Sequence, residues 1–205
     1  MKSTLRIYET LLDSFGPQDW WPMQRGFIPK GWEVELGAIL TQNTSWKNAE
    51  AALKNLKSAG IVSREDVIRI PEKRLASLIR PSGYYRQKAK KLKGLAGFSG
   101  EPDREKLLGI WGIGRETADS ILLYAYGKPF FVVDAYTVRV FSRLGLVGKD
   151  WGYERIREFF EENLPRKASL YKEYHALIVE LGKRFCRKKP LCQKCPLNKA
   201  CKTPV

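Results

Sequence analysis

The sequence predicts an all-α protein that ends in a metal-binding loop. Apolar residues recur at helical spacing through most of the 205 residues, for example in "LRIYETLLDSF", "YERIREFFEENL" and "LYKEYHALIVELGKRF". Only "PFFVVD" has the composition of a strand, and it is too short and too isolated to build a sheet. All four cysteines lie near the C-terminus, where the helical pattern stops. We therefore expect about ten helices joined by short turns, followed by a loop held by its metal.

The charge of the chain favours a polyanionic partner. It has 37 Lys and Arg against 22 Asp and Glu, a net charge of +15 that is spread along the sequence. Nucleic acid is the first candidate, because each phosphate neutralised by a protein cation releases condensed counterions. A soluble or heat-tolerant surface explains the charge alone equally well. With no membrane-spanning run and no signal-peptide pattern, we expect a cytoplasmic, nucleoid-associated monomer without a membrane partner.

Two glycines precede one of the helical segments and suggest a site for a phosphate. In "WGIGRETADSI", Gly112 and Gly114 allow a tight turn and a close approach of the backbone to a ligand. The helix that begins near Arg115 would direct its free N–H groups and dipole at the same point. We predict a DNA-backbone contact at Gly112, Gly114, Arg115 and Thr117. An ordinary turn would use the same two glycines.

The cysteines predict a metal site. Cys186, Cys192, Cys195 and Cys201 form the pattern Cys-x5-Cys-x2-Cys-x5-Cys. Cysteines this close together in a reducing compartment are typical of metal ligands and would gain little from disulfide bonds. Lys188 and Lys189 in the first loop suit contacts with DNA phosphates, and solvated surface charges are the alternative.

The order of these motifs resembles a known family. The stretch "LGIWGIGRETADSILLYAYGKPFFVVD", a following helix and a terminal four-cysteine cluster are similar to the helix-hairpin-helix DNA glycosylases of the endonuclease III superfamily. The resemblance runs from about Trp32 to Cys201. It implies a base excision repair enzyme that binds double-stranded DNA containing a damaged base. It also implies a two-lobed fold, with the hairpin in residues 27–133 and the metal-cluster loop, 186–201, in a second domain of residues 1–26 plus 134–205.

The resemblance also assigns a catalytic residue. The family's aspartate faces the sugar whose base is removed, and Asp134 occupies that position after "FFVV". Asp134 also suits the N-cap of the next helix, and the two roles are compatible because capping needs one carboxylate oxygen. Members with lyase activity carry a hairpin lysine that forms a Schiff base, where this chain has Glu116. Because a carboxylate cannot form an imine, we expect a glycosylase without lyase activity.

Further motifs are similar to one branch of the superfamily. The segments "WWP", "LTQNTSW" and "RPSGYYRQKAKKLKGL", with the glutamate in the hairpin, resemble the 3-methyladenine DNA glycosylases related to endonuclease III. In that branch an alkylated purine lies between aromatic faces, which suits a cationic base. The resemblance places the base pocket on Trp20, Trp21, Pro22, Trp46 and Lys183. The resemblance also implies that Gln42 enters the gap that the extruded nucleotide leaves in the DNA helix. Core packing is the alternative explanation of the tryptophans. For Gln42 the alternative is an ordinary polar residue of a loop.

Three alternatives stay open at this stage. A thymine or uracil mismatch glycosylase can also lack the hairpin lysine, whereas adenine-mismatch enzymes need a glutamate where this chain has Gly37. A non-catalytic architectural module could use the hairpin and a metal finger to bind DNA. The family pattern Cys-x6-Cys-x2-Cys-x5-Cys holds a [4Fe–4S] cluster, and the shorter first gap here leaves zinc as the alternative. We assign no catalytic role to His175, which lies among apolar residues.

Overall fold

The structure is a computed structural model that describes residues 2–21 and 26–202. In these residues all regular secondary structure is helical, apart from one isolated bridge between Ile28 and Ser63. The α-helices are α1 (Lys2–Phe15), α2 (Lys30–Leu40), α3 (Trp46–Ser58), α4 (Arg64–Arg69), α5 (Glu72–Leu78), α6 (Tyr85–Ala96), α7 (Arg104–Leu108), α8 (Arg115–Ser120), α9 (Ala135–Arg143), α10 (Tyr153–Asn163) and α11 (Ala168–Arg184). The predicted all-α class is therefore confirmed. No helix in this part of the chain is both long and apolar enough to cross a bilayer.

The chain divides into two compact units. The central unit is Trp21–Tyr126, and the terminal unit combines Met1–Trp20 with Gly127–Val205. The strand-like segment "PFFVVD" belongs to the terminal unit and forms no strand. Phe131, Val132 and Val133 are instead buried in a segment without regular secondary structure, and their burial explains their apolar composition.

A buried helix organises the central unit. Residues 32–40 of α2 are all buried, and α2 contacts α3, α6 and α8. Glu35 on this helix is paired with Arg64 and accepts a hydrogen bond of 2.7 Å from the Tyr126 hydroxyl. Burial raises the pKa of Glu35, although the Arg64 charge opposes that effect. This pairing compensates the Glu35 carboxylate for its burial in α2.

The hairpin of the central unit is formed by α7, a turn and α8. Gly112 in this turn has a φ of 80°, a conformation that favours glycine. Arg104 on α7 forms a bidentate ion pair with Asp119 on α8, with N–O distances of 2.6 and 3.1 Å. Asp119 is completely buried, so this pair holds the two helices in one arrangement.

Stacked aromatic side chains form the core of the terminal unit. The rings of Phe131 and Phe160 are parallel, with centroids 4.0 Å apart, and Phe141 meets Phe160 edge-on. Tyr174 on α11 joins this cluster and donates a hydrogen bond of 2.8 Å to the carbonyl of Thr4. These contacts fix α11 against α1 and α9, and so determine what faces the start of α9.

Candidate functional site

Asp134 caps α9 with one of its two carboxylate oxygens. Its Oδ1 accepts hydrogen bonds from the Thr137 N–H, at 2.7 Å, and from the Thr137 hydroxyl, at 2.9 Å. The N-cap role expected from the sequence is thus confirmed. The second oxygen, Oδ2, takes no part in the cap.

The imidazole of His175 lies beside that second oxygen. His175 Nε2 is 3.6 Å from Asp134 Oδ2, and the exposed fractions of the two side chains are 6% and 14%. Burial alone would raise the pKa of Asp134. Its interactions with His175 and the hydrogen bonds from Thr137 outweigh burial, and together they lower this pKa. Asp134 is therefore ionised at neutral pH.

Two further predicted residues accompany His175 in the terminal unit. The Trp20 indole meets the imidazole edge-on, with ring centroids 5.3 Å apart. The Lys183 Nζ lies 5.9 Å from the centre of the Trp20 ring. The sequence argument placed Trp20, Lys183 and Asp134 in the site and gave His175 no catalytic role, and the structure brings His175 close to Asp134. The spacing of eight residues between His175 and Lys183 was the available signal, because positions i and i+8 share one face of a helix.

A second aromatic cluster lies in the central unit. Trp21 meets Trp46 edge-on with centroids 5.3 Å apart, and it lies 5.1 Å from Tyr124, which the sequence argument did not identify. Trp21 also packs directly on α2, since a Cβ atom added at Gly37 would lie 2.9 Å from the indole Cζ2. Gly37 is thus the position that makes room for Trp21. Pro22, also predicted for this pocket, lies outside the described residues.

Gln42 is held by two side chains of the central unit. Its amide nitrogen donates a hydrogen bond of 2.8 Å to the Thr117 hydroxyl on α8. The Lys91 ammonium donates one of 2.6 Å to its amide oxygen. Burial lowers the pKa of Lys91. The structure therefore connects the predicted loop residue to the hairpin through Thr117, and Lys91 is an addition that the sequence argument missed.

Predicted DNA-contacting residues at the hairpin differ in exposure. Gly112, Gly114 and Arg115 are exposed, whereas Thr117 is 8% exposed and lies behind them. Gly114 caps α8, and Glu116 is in the first turn of that helix. The hairpin thus presents main-chain N–H groups and one guanidinium at its surface.

The four cysteines surround one small cavity. Cys186, Cys192, Cys195 and Cys201 are all free thiols, and they line a cavity of about 30 Å³ together with Arg143, Phe185, Pro190 and Asn198. Burial raises the pKa of the Cys195 thiol, and the neighbouring thiols add to this effect. Within residues 2–21 and 26–202, no three His, Cys, Asp or Glu side chains meet closely enough to hold a single metal ion.

Helix α9 connects Asp134 to this cysteine loop. Arg139 donates a hydrogen bond of 2.7 Å to the carbonyl of Cys186. Arg143 lies 3.4 Å from the Cys186 Sγ and donates to the carbonyls of Arg187 and Lys188. The side chains of Lys188 and Lys189 remain exposed beyond these contacts. The base of the loop is thus fixed, and its basic side chains face outward.

Comparison with known proteins establishes the family. The model of the HhH-GPD superfamily of base excision DNA repair proteins matches residues 36–166. The chain belongs to this superfamily and is a DNA glycosylase of base excision repair. This membership favours an enzyme over a non-catalytic DNA-binding module.

Relatives cover nearly all of the chain. The Methanocaldococcus jannaschii protein MJ1434, provisionally named as a DNA repair glycosylase, is 48% identical to this chain over 212 residues. The match covers 96% of this chain and 94% of that protein. Endonuclease III of Thermotoga maritima is 34% identical over 176 residues, which cover 82% of this chain and 81% of that enzyme. The four C-terminal cysteines correspond to those of endonuclease III.

Two solved structures agree with the fold. The H. pylori 3-methyladenine DNA glycosylase MagIII, bound to 1,N6-ethenoadenine, has a TM-score of 0.76 and 32% identity, and the match covers 88% of this chain and 97% of that one. A non-covalent complex of endonuclease III with DNA has a TM-score of 0.83 and 24% identity, covering 98% and 96% of the two chains. The all-helical endonuclease III fold is therefore confirmed.

The contact between Trp21 and Gly37 leads to a stability prediction. Gly37→Ala should displace the indole and destabilise the protein by about 1–3 kcal/mol, because the new Cβ has no space. Gly31→Ala on the same helix is the matched control, since its Cβ would lie 3.4 Å from Ala125, an ordinary contact. It should be neutral or stabilising by up to about 1 kcal/mol. Denaturant unfolding measures both, and equal effects would contradict the packing described for Trp21.

Proposed function

We propose that this enzyme hydrolyses the N-glycosidic bond of alkylated purines such as 3-methyladenine in double-stranded DNA. The observation that carries the proposal is the cluster of Trp21, Trp46 and Tyr124 on the bare backbone of Gly37. Electron-rich ring faces attract a positively charged purine. The similar H. pylori protein, a 3-methyladenine DNA glycosylase bound to 1,N6-ethenoadenine, supports the same substrate class.

Asp134 supplies the charge that the reaction requires. Water adds to the anomeric carbon while the carbon–nitrogen bond breaks, and the cationic base leaves as a neutral molecule with the electron pair of that bond. The proton of the water passes to solvent. The sugar becomes positive during this step, and the ionised carboxylate of Asp134 stabilises it and orients the water. An already charged base is a good leaving group and needs no strong general acid.

The base must leave the helical stack before it can react. Gln42 fills the gap left by the extruded nucleotide, and Lys91 and Thr117 hold it in place beforehand. The hairpin binds the DNA backbone through the amides near Gly112 and Gly114 and through Arg115. Lys188 and Lys189 add phosphate contacts from the cysteine loop, and Lys183 and Trp20 belong to the base-binding surface of the terminal unit.

The hairpin helix lacks the amine that lyase activity requires. Glu116 is exposed in the first turn of α8, at the position of the lysine in bifunctional relatives. A carboxylate forms no covalent imine with the sugar. The product is therefore an abasic site in an intact strand.

The cysteine loop suits a [4Fe–4S] cluster. The four cysteines line one cavity, and their correspondence to the C-terminal cysteines of endonuclease III supports this cofactor. Arg143 offers an N–H to the Cys186 sulfur, as thiolate ligands commonly receive. When bound, the cluster braces the loop and supplies no step of the reaction.

The cluster proposal has a spectroscopic test. The purified protein should absorb visible light and contain iron, whereas zinc has a filled d shell and adds no colour. Cys192→Ser should lose the band because it removes one ligand. A colourless wild-type protein with stoichiometric zinc would contradict the proposal.

The function is tested with methylated duplex DNA. The wild type should release 3-methyladenine, identified by chromatography of the free bases, and strand breaks should appear only after alkali. Asp134→Asn should still bind the duplex, since asparagine caps helices well, and should lose at least about 100-fold of the release rate. Asp150→Asn makes the same change at an exposed position and should behave as wild type.

Two outcomes would contradict this function. Release of thymine or uracil from mismatched duplexes, with none from methylated DNA, would identify a mismatch glycosylase. Extensive strand cleavage without alkali, or covalent trapping of the enzyme on DNA by borohydride, would show a lyase.

A further inference from the structure

The two carboxylate oxygens of Asp134 lie in different surroundings. Both hydrogen bonds from Thr137 go to Oδ1. His175 Nε2 lies near Oδ2, at 3.6 Å, which is longer than a hydrogen bond. Oδ2 therefore keeps its lone pairs for a further partner while it stays within the field of the imidazole.

His175 is held firmly in this position. Its side chain is almost fully buried, and the Trp20 indole meets the ring edge-on. The preceding residue, Tyr174, is completely buried and fixed to the carbonyl of Thr4. The imidazole is thus part of a packed helix face, and its distance from Oδ2 is set by the core of the terminal unit.

We propose that His175 is a positioning residue that holds Oδ2 of Asp134 in its reactive orientation. This inference rests on the proposed glycosylase function. Two hydrogen bonds from Thr137 fix Oδ1, and the buried imidazole beside Oδ2 limits the rotation of the carboxylate about its Cβ–Cγ bond. The sugar or the attacking water then meets Oδ2 in one defined geometry.

The electrostatics of the terminal unit agree with this role. Interaction with His175 is the foremost of the effects that lower the pKa of Asp134 against its burial. The Lys183 Nζ lies 5.9 Å from the centre of the Trp20 ring. The imidazole is the group that lies near Oδ2, at 3.6 Å.

A purely structural histidine is the competing explanation, and three variants separate the two. His175→Phe keeps an aromatic ring against Trp20 but removes the nitrogen that faces Oδ2. His175→Gln keeps an N–H donor of similar reach. Leu177→Ala removes a buried apolar side chain from the same helix. Leu177 is two positions from His175 and therefore on a different side of the helix, so this variant controls for loss of packing.

The experiment measures the single-turnover rate of base release from methylated duplex DNA, the Kd for that duplex and the melting temperature. His175→Phe should slow release about 10- to 100-fold with an unchanged Kd. His175→Gln should recover most of the rate, and Leu177→Ala should lower the melting temperature but not the rate. If His175→Phe does not fold, His175→Leu takes its place.

The outcomes distinguish a failure of this inference from a failure of the proposed function on which it rests. A wild type that releases no base from any damaged duplex would overturn the proposed function and this inference with it. An active wild type with equally fast His175→Phe would overturn the inference alone. So would a His175→Gln variant as slow as His175→Phe, since packing would then explain the loss.

Discussion

The two carboxylate oxygens of Asp134 have different neighbours, and the rest of the site depends on this arrangement. One oxygen closes the first turn of α9 through Thr137, and this fixes the direction of the second. A helix cap and a reactive carboxylate are normally separate requirements, and in the proposed mechanism one side chain meets both. Any change that frees Oδ1 from the cap would also release Oδ2.

Helix α9, which Asp134 caps, also contacts the cysteine loop. Arg139 and Arg143 follow Asp134 on α9 and bind the main chain around Cys186, so both ends of the helix are fixed. The buried run ending at Val133 brings the chain to the start of α9 through the aromatic core. A metal that orders the loop therefore also stabilises the helix whose first turn Asp134 caps.

Local patterns in the sequence predicted the helices, the N-cap role of Asp134 and the four-cysteine loop, because each depends on neighbouring residues. The contacts between distant residues could not be predicted in this way. Lys91 is 49 residues from Gln42, and His175 is 41 positions after Asp134. At Gly37 the sequence argument noted only that a glutamate is absent. In the structure, the lack of a side chain at Gly37 leaves the space that Trp21 occupies.

The most direct test of the account is whether the fold keeps Asp134 ionised. A carboxyl group whose pKa is lowered on folding stabilises the protein above its unfolded-state pKa, and this stabilisation is lost as the pH falls through the folded-state value. The unfolding free energies of the wild type and Asp134→Asn should therefore differ in favour of the wild type at about pH 6. The difference should begin to shrink as the pH falls below about 4 and should vanish only below the lower folded-state pKa. A variant more stable than the wild type at about pH 6 would mean that burial dominates and that the carboxylate is not held in its charged form.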